Sequence, residues 1–371
     1  MEDATLEFTV GLDSNVASNE YLRCLWFLIR KQFGKLAWNF IPTKIADKKT
    51  IIVGYADVGL ESPLSISVRY EKRGCLSSVS FSKIPSASIK NKLIRCLKEA
   101  VNYNEYLSDK RLICKLSKFI DVNYSEGTMF SIKGNDLSFS LASYDKEDGI
   151  MIAKDMHNSL CSILTFYLLT PVNPTNDQLF YGKHKKINLE LPEQAIQHID
   201  NFLLKKYAYE NNLTLFEMAI DSFSQGIIYE TLSLSTLSDV LPFVESAIVS
   251  YMSALEIIST NDRTPTQCQV CGQMRYSIAR RVQDLVAKTL PGYEEYMAKW
   301  IRTYYKIRSE YIHTGNKLSM RNYSGVSIPL LSIYNSSGMI NQRQIVPPDI
   351  KYIVRNAILS HEGKPLILNE N

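Results

Sequence analysis

The sequence lacks the motifs by which nucleotide-dependent and metal-dependent enzymes are most readily identified. It contains no glycine-rich Walker loop, no dinucleotide-binding fingerprint of the Rossmann type and no histidine-rich metal pattern, with five histidines in 371 residues. A glycine-rich loop is needed where backbone N–H groups hold a phosphate at the start of a helix. Its absence excludes the P-loop and Rossmann classes of nucleotide binding.

Targeting and membrane signals are missing too. The N-terminal residues Met-Glu-Asp-Ala-Thr-Leu-Glu lack the basic and apolar regions of a signal peptide. The most apolar helix-like run, residues 160–169, is too short to cross a bilayer. The seven cysteines are scattered and odd in number, which is typical of free thiols in a reducing compartment. We therefore expect a cytoplasmic protein with no membrane partner.

The overall composition is that of an ordinary globular protein. Hydrophobic residues make up 45% of the chain and charged residues 22%, and the formal net charge is +4. This net charge is too small to identify a partner by itself. The length is sufficient for two domains.

Residues 1–180 mix helical and strand patterns, which predicts an α+β domain. One hairpin is predicted around Arg73-Gly74, where alternating apolar residues lie on both sides of the turn. A second is predicted around Gly134-Asn135-Asp136, between apolar stretches at 130–132 and 137–141. Helices are predicted at residues 19–33, 89–101 and 151–169. No residue pattern in this domain identifies its ligand.

A turn-rich stretch at residues 171–177 marks the expected domain boundary. It is followed by a basic segment at 182–186, which is either a solvated loop or a contact for a polyanion. Residues 190–365 have apolar stripes with a helical period, which predicts an all-α bundle. Residues 322–348 within it are predicted to form an irregular loop.

One segment of the predicted bundle carries a pattern that suggests chemistry. Arg308 precedes His313 by five residues, in a helical pattern that stops at Gly315. Residues 299–321 contain six lysines and arginines against one acid, Glu310, a bias that suits a polyanion. Arg308 falls at the edge of the apolar helix face, where a lone charge needs a partner.

The spacing alone does not identify a site, because Arg355 precedes His361 by a similar interval of six residues. The second pair lies in a shorter helix in which His361 falls on the apolar face, so we interpret it as a packed or capping histidine. The first pair raises a geometric question. Five residues of a regular helix leave a net rotation of about 140° between two side chains. Either the helix loosens at its end, or the site forms in a cleft into which side chains from both sides of the helix point.

The residue pattern around the first pair is Tyr-x-x-Arg-Ser-x-x-Ile-His-x-Gly. It resembles the motif of the HEPN superfamily (higher eukaryotes and prokaryotes nucleotide-binding), and within that superfamily the motif of the ApeA-like branch. Segments 253–256 and 275–282 resemble the helices that precede the motif, so the resemblance spans about residues 240–320. It implies a HEPN helical bundle that forms a homodimer, with two motifs paired across the interface. It also implies a role in antiphage defence or toxin-like growth arrest.

The resemblance implies a metal-independent endoribonuclease that leaves 2′,3′-cyclic phosphate ends. His313 would serve as general acid or base, since an imidazole titrates near neutrality. Arg308 would hold the phosphate and stabilise the transition state. No cofactor is expected. The N-terminal domain would bind an unidentified trigger. The residues expected to contact the RNA backbone are Arg302, Lys306, Lys317 and Arg321.

Two alternatives remain open. The cations Arg308 and His313 also suit the C-terminal end of a helix for structural reasons, so the bundle could be a catalytically silent module for dimerisation or RNA binding. Separately, Cys268 and Cys271 form a Cys-x-x-Cys-Gly turn of the zinc-knuckle type. A structural zinc site needs four ligands, and the sequence has no second Cys-x-x-Cys, so free thiols are the default expectation.

Overall fold

The structure of the protein is a computed structural model. The residues that it describes are 4–44, 49–59, 62–84, 86–121, 129–172, 189–207, 213–235, 243–262, 266–267, 274–275, 278–289, 294–315, 327–331, 339–343 and 349–367.

The N-terminal part is a twisted antiparallel sheet covered by two helices. In chain order its elements are β1 (Ala4–Thr9), α1 (Asn15–Phe33), β2 (Lys35–Lys44), β3 (Thr50–Asp57), β4 (Leu64–Arg69), β5 (Ser78–Ile84) and α2 (Ala87–Glu99). The strand order is β1-β5-β4-β3-β2. β4 and β5 pair from Arg69 with Ser78 to Ile66 with Phe81, which confirms the hairpin predicted around Arg73-Gly74.

Helix α1 begins four residues earlier than the sequence predicted. Its N-cap is Ser14, whose hydroxyl accepts a hydrogen bond from the backbone N–H of Ala17. Gly34 ends the helix as expected, with a positive φ of 95° and its N–H donating to the carbonyl of Arg30. Burial of Tyr21, Leu25 and Ile29 directs this helix onto the sheet.

The second predicted hairpin is wrong. Residues 130–132 and 137–141 belong to one strand, β7 (Phe130–Ser143), which pairs along its length with β6 (Ser108–Asp121). Gly134 has a φ of 67° and lies where the register of the two strands shifts, so the Gly-Asn-Asp signal marks an irregularity within a strand. The short strand β8 (Leu189–Glu190) adds to the other edge of β6 in parallel.

The remaining elements are mainly helical, so the described chain as a whole is α+β, as predicted. The long helix after β7 is α3 (Lys146–Leu168). The helices that follow β8 are α4 (Glu193–Tyr207), α5 (Leu215–Ser235), α6 (Val244–Ile258), α7 (Ile278–Thr289), α8 (Glu294–Thr314) and α9 (Asp349–His361). Two residue pairs between α6 and α7 form a minimal ladder, β9 (Thr266–Gln267) with β10 (Met274–Arg275).

Part of the region predicted to be an irregular loop has regular structure. Within residues 322–348, β11 (Ser327–Leu331) pairs antiparallel with β12 (Met339–Arg343). The alternation in this segment is short and is interrupted by Pro329, which is why the strand pattern was not recognised in the sequence.

The buried apolar side chains form two clusters. The first joins α1, α2 and the five-stranded sheet, and it also includes Tyr144, which follows β7. The second joins β6, β7 and α3 to the helices α4 to α9. Apart from Tyr144, the cores therefore divide the chain near the start of β6, whereas the turn-rich stretch predicted as the domain boundary comes after α3.

An ion-pair cluster connects the two cores. Arg23 on α1 donates to both carboxylate oxygens of Asp148 in the first turn of α3, at 3.2 and 2.6 Å, and also to the carbonyl of Ala142. The same carboxylate accepts the backbone N–H of Tyr144. Arg30, one and a half to two turns further along α1, pairs with Asp145 and Glu147. Since Asp148 is buried, its charge depends on these donors.

The described cysteines agree with the expectation of free thiols drawn from the sequence. Five cysteines lie in the described ranges, and all five are free thiols. None of the described helices combines the length and apolar character needed to cross a membrane.

A buried histidine lies at the centre of the second core. His198 on α4 stacks on Phe216, with ring centroids 5.1 Å apart, and its Nδ1 lies 3.4 Å from the hydroxyl of Tyr167. Burial, reinforced by the positive charge of Lys364, lowers the pKa of His198 to about 4. The folded protein therefore holds this imidazole in its neutral form.

Replacing Asp148 with Asn should destabilise the protein by about 3 kcal/mol, because Arg23 loses its buried counter-charge. The free energy of unfolding from a urea titration measures this effect. The matched control is Glu147→Gln, since the Glu147 side chain is 70% exposed and its pair with Arg30 should contribute less than about 1 kcal/mol. Equal effects of the two substitutions would contradict a buried connection between the cores.

Stability should fall as the pH drops from about 6.5 towards 4. Between these values the unfolded chain binds a proton at His198 that the folded chain does not, so acid favours unfolding by on the order of 3 kcal/mol at most. The contribution is fully present above the unfolded pKa. His198→Gln should flatten this part of the stability–pH curve. A wild-type slope retained in the His198 variant would rule out this histidine as the cause.

Candidate active site

The candidate site is built on α8, whose rotation is determined by its buried side. Ile301, Tyr304 and Ile307 are all nearly inaccessible to solvent and recur at three-residue intervals. The helix ends where it was predicted to end. Gly315 adopts a φ of 68° and its N–H donates to the carbonyl of Tyr311, at 3.0 Å. Both Arg308 and His313 therefore lie on regular α-helix.

Arg308 lies at the edge of the buried face and has the partner that the sequence analysis required. Its Nη2 donates to Oε2 of Glu256 on α6 at 2.9 Å, and the two side chains are 20% and 19% exposed. The guanidinium carbon lies 5.7 Å from the ring centroid of Tyr305. The ion pair and the ring hold Arg308 against α6 while part of its guanidinium stays accessible.

The pKa of the Tyr305 hydroxyl depends on the charged side chains of this cluster. Burial raises the pKa of its hydroxyl, and the carboxylate of Glu256 raises it further. The guanidinium groups of Arg308 and of Arg281, on α7, act in the opposite direction and lower this pKa. The cluster of Glu256, Arg281, Tyr305 and Arg308 thus brings two cations and one anion together where α6, α7 and α8 pack.

Three polar atoms of this cluster are buried without a hydrogen-bond partner in the part of the chain that the structure describes. They are Nε of Arg308, Nε of Arg281 and Oε1 of Glu256. Most buried polar atoms in proteins are paired, so three such atoms in one cluster are unusual. Two of the three are donors, which suits an oxyanion.

His313 lies about 1.4 turns beyond Arg308 and is exposed. Because the helix stays regular through Thr314, the expectation that it loosens is wrong. The two side chains leave the helix about 140° apart and about 7.5 Å apart along its axis. Within one chain they do not share a face. The alternative expectation, a cleft that receives both directions, stays a prediction.

Two of the predicted RNA-binding residues share the face of His313. Arg302 and Lys306 are exposed, and both lie within about 40° of His313 around the helix axis. Lys306 is 74% exposed, and its Nζ is 3.9 Å from the carboxylate of Glu310, a distance at which it remains available to other anions. We call Arg302, Lys306 and His313 the basic stripe. Lys317 and Arg321 lie outside the described residues.

The second match to the motif spacing is structural. Arg355 is 1% exposed and donates to the carbonyls of Tyr167 and Ile367, at 3.2 and 3.1 Å. Burial lowers the pKa of this guanidinium to about 10. His361 is in the last turn of α9, partly exposed, with Nδ1 3.3 Å from a carboxylate oxygen of Glu362. Arg355 anchors the C-terminal segment and is inaccessible to a substrate.

The sequence-based metal candidate is not described. Cys268 and Cys271 lie outside the described residues. Among the residues that are described, no group of three or more His, Cys, Asp or Glu side chains is arranged to hold a metal ion.

Sequence reasoning missed Arg281 and did not assign a role to Glu256. Arg281 precedes Leu285 by one helical turn and so lies on the bundle side of an amphipathic helix, where a charge is informative. Glu256 was noted only within the family-like segment, although it is an acid next to the long apolar stripe of α6.

Comparison of the chain with models of known protein families, with curated proteins and with solved structures finds no match. The geometry of the site therefore carries the functional argument.

The ion pair between Glu256 and Arg308 should show a coupling free energy of about 1–2 kcal/mol, because it is half-buried and hydrogen-bonded. A double-mutant cycle with Glu256→Gln and Arg308→Gln, read by urea unfolding, measures it. The control cycle uses Lys306 and Glu310, an i,i+4 pair on the same helix in which the lysine is 74% exposed and the two charged atoms are 3.9 Å apart, and it should give about 0.3 kcal/mol. Coupling no larger than the control's would show that Arg308 is not held by Glu256.

Proposed function

We propose that the protein is a metal-independent endoribonuclease of the HEPN type that acts as a homodimer. The observation that carries the proposal is the arrangement on α8. Exposed His313 lies on the basic stripe with Arg302 and Lys306, while Arg308 is set apart and held by Glu256 with donors left over. A general acid–base residue and a phosphate-binding cation are what RNA cleavage by the 2′-hydroxyl requires.

The division of the two side chains between different faces supports a dimer in this proposal. Because Arg308 faces α6 and His313 faces solvent, one chain presents them about 140° apart. A second copy brings its own Arg308 and His313 to the cleft, so that both directions converge on one RNA strand. The proposed interface is formed by the C-terminal helices around α8.

The proposed reaction is transfer of the phosphoryl group within the RNA chain. The ribose 2′-oxygen attacks the adjacent phosphorus as its proton passes to a general base, and the bond from phosphorus to the 5′-oxygen breaks. The leaving oxygen takes a proton from a general acid. The products are a 2′,3′-cyclic phosphate and a 5′-hydroxyl end. His313 fills the acid or base role because imidazole exchanges protons near neutral pH.

Arg308 supplies the electrostatic part of the proposed mechanism. Glu256 engages one terminal nitrogen, and this contact orients the planar guanidinium before substrate arrives. The remaining donors are directed at the non-bridging phosphate oxygens, where negative charge grows in the phosphorane. Arg302 and Lys306 contact neighbouring phosphates along the basic stripe. The cellular role proposed with this activity is antiphage defence or toxin-like growth arrest in the cytoplasm.

A second candidate function is a catalytically silent bundle that dimerises or binds RNA. The observation that favours it is the same ion pair, since an arginine whose charge is already met by Glu256 has a sufficient structural role. His313 in the last helical turn is likewise favoured by the helix dipole alone. This candidate shares the RNA-binding stripe but not the chemistry.

The His313→Ala variant should lose RNA cleavage by at least about 100-fold while its fold and oligomeric state stay unchanged. Purified full-length protein is incubated with total tRNA and with mRNA in EDTA, and the new ends are mapped. The control is His361→Ala, which removes the histidine of the structural match and should cleave like wild type. Cyclic phosphate ends formed by wild type and by the His361 variant only would support the proposal.

Two results would overturn it. Cleavage retained by His313→Ala would remove this histidine from the mechanism. RNA binding by wild type without cleavage in the absence or presence of cellular extract would favour the silent bundle.

A further inference from the structure

Arg281 is a half-buried cation in the cluster that no role yet explains. It lies on α7, one turn before Leu285, among the buried side chains Val282, Leu285 and Val286. Its Nε–H is buried and donates to no partner within the described residues. The adjacent Arg280 on the same helix is exposed. One of two neighbouring arginines is thus turned into the junction of α6, α7 and α8.

The charges at this junction do not balance. Arg281 and Arg308 both lower the pKa of the Tyr305 hydroxyl, so both charges lie within electrostatic range of it, and the guanidinium carbon of Arg308 is 5.7 Å from the centroid of the ring. Glu256 is the one carboxylate that acts on the same hydroxyl, and its Oε2 is already engaged by Arg308. Among the described groups that act on this hydroxyl, two are cations and one is an anion, which leaves a net positive charge in a partly desolvated site. Such a charge is costly unless an anion meets it.

The donors that remain are of the type that recognises phosphate. A guanidinium presents N–H groups in a planar fork that matches two oxygens of a phosphate group. The guanidinium groups of Arg281 and Arg308 are both partly exposed and are contributed by two different helices, and the buried Nε of each has no partner within the described residues. A rigid pair of arginines fixes the position of a phosphate better than the flexible lysines of a surface stripe.

We propose that Arg281 is a second phosphate-binding residue, which grips the RNA backbone together with Arg308 while Glu256 keeps the two arginines in place. The proposal rests on the proposed function in one respect, that the ligand is RNA. It adds a helix, α7, to the substrate-binding surface and extends that surface away from the basic stripe, across the junction of the three helices. In this arrangement Glu256 offsets the repulsion between the two guanidinium groups until the phosphate binds.

The test measures RNA binding separately from cleavage. The full-length chain carries His313→Ala, so that the RNA stays intact, and binds a fluorescein-labelled single-stranded RNA over a series of NaCl concentrations. Arg281→Gln in this background should weaken binding about tenfold. It should also reduce the slope of log Kd against log salt by about 0.7, the value for one lost contact to single-stranded nucleic acid.

The matched control is Arg280→Gln, which removes the same charge from the exposed neighbouring position and should change neither quantity. The Arg281→Lys variant is a second test of the same role, for the case in which the Gln variant fails to fold. It should keep the salt slope, because the charge is retained, and still weaken binding severalfold, because the fork is lost. Circular dichroism and urea unfolding confirm that each variant is folded.

The outcomes separate this inference from the proposed function. Equal binding by the Arg281→Gln, Arg280→Gln and background proteins, or Arg281→Lys binding like the background, overturns the role of Arg281 even if wild type cleaves RNA. A weakened affinity and reduced slope for Arg281→Gln alone supports the role of Arg281 even if wild type proves not to cleave. In that case the site is an RNA-binding site of a silent bundle.

Discussion

Burial of Ile301, Tyr304 and Ile307 determines how α8 is rotated about its axis, and the rest of the candidate site depends on that rotation. With these three side chains in the core, Arg308 is directed to the edge facing α6, and Arg302, Lys306 and His313 are directed to solvent. The regularity of the helix up to Thr314 then keeps Arg308 and His313 apart. A single apolar contact surface therefore decides which charged groups are available to a polyanion and which are held within the bundle.

Charged groups taken partly out of water recur in this structure, and each is met by an opposite charge or by backbone groups. Asp148 is surrounded by donors from Arg23 and the backbone, and Arg355 by two carbonyls. Both therefore act as connections between elements that are distant in sequence. The junction of α6, α7 and α8 is different, because Arg308 is paired with Glu256 there while Nε of Arg281 is buried with no partner among the described residues. That difference is the basis of the anion-binding site proposed at this junction.

The parts of the fold that were predictable are those set by local patterns. The hairpin of β4 and β5, the end of α1 at Gly34 and the whole of α8 follow from alternation, helix period and positive-φ glycines. The predicted turn at Gly134 was wrong, because glycine and asparagine accommodate a strand irregularity as readily as a turn. Strand β6 was not predicted, because its extended conformation depends on pairing with β7 and not on its own composition.

The amino-acid sequence by itself determined that α8 is amphipathic, that it ends after His313 and that Arg308 needs a counter-charge at the edge of its apolar face, because these are consequences of a 3.6-residue period and of desolvation. Only the tertiary structure decided which group supplies that counter-charge. Glu256 is 52 residues away from Arg308, and Arg281 lies on a third helix. Their meeting depends on how three helices pack, and no local periodicity records the packing of one helix against another.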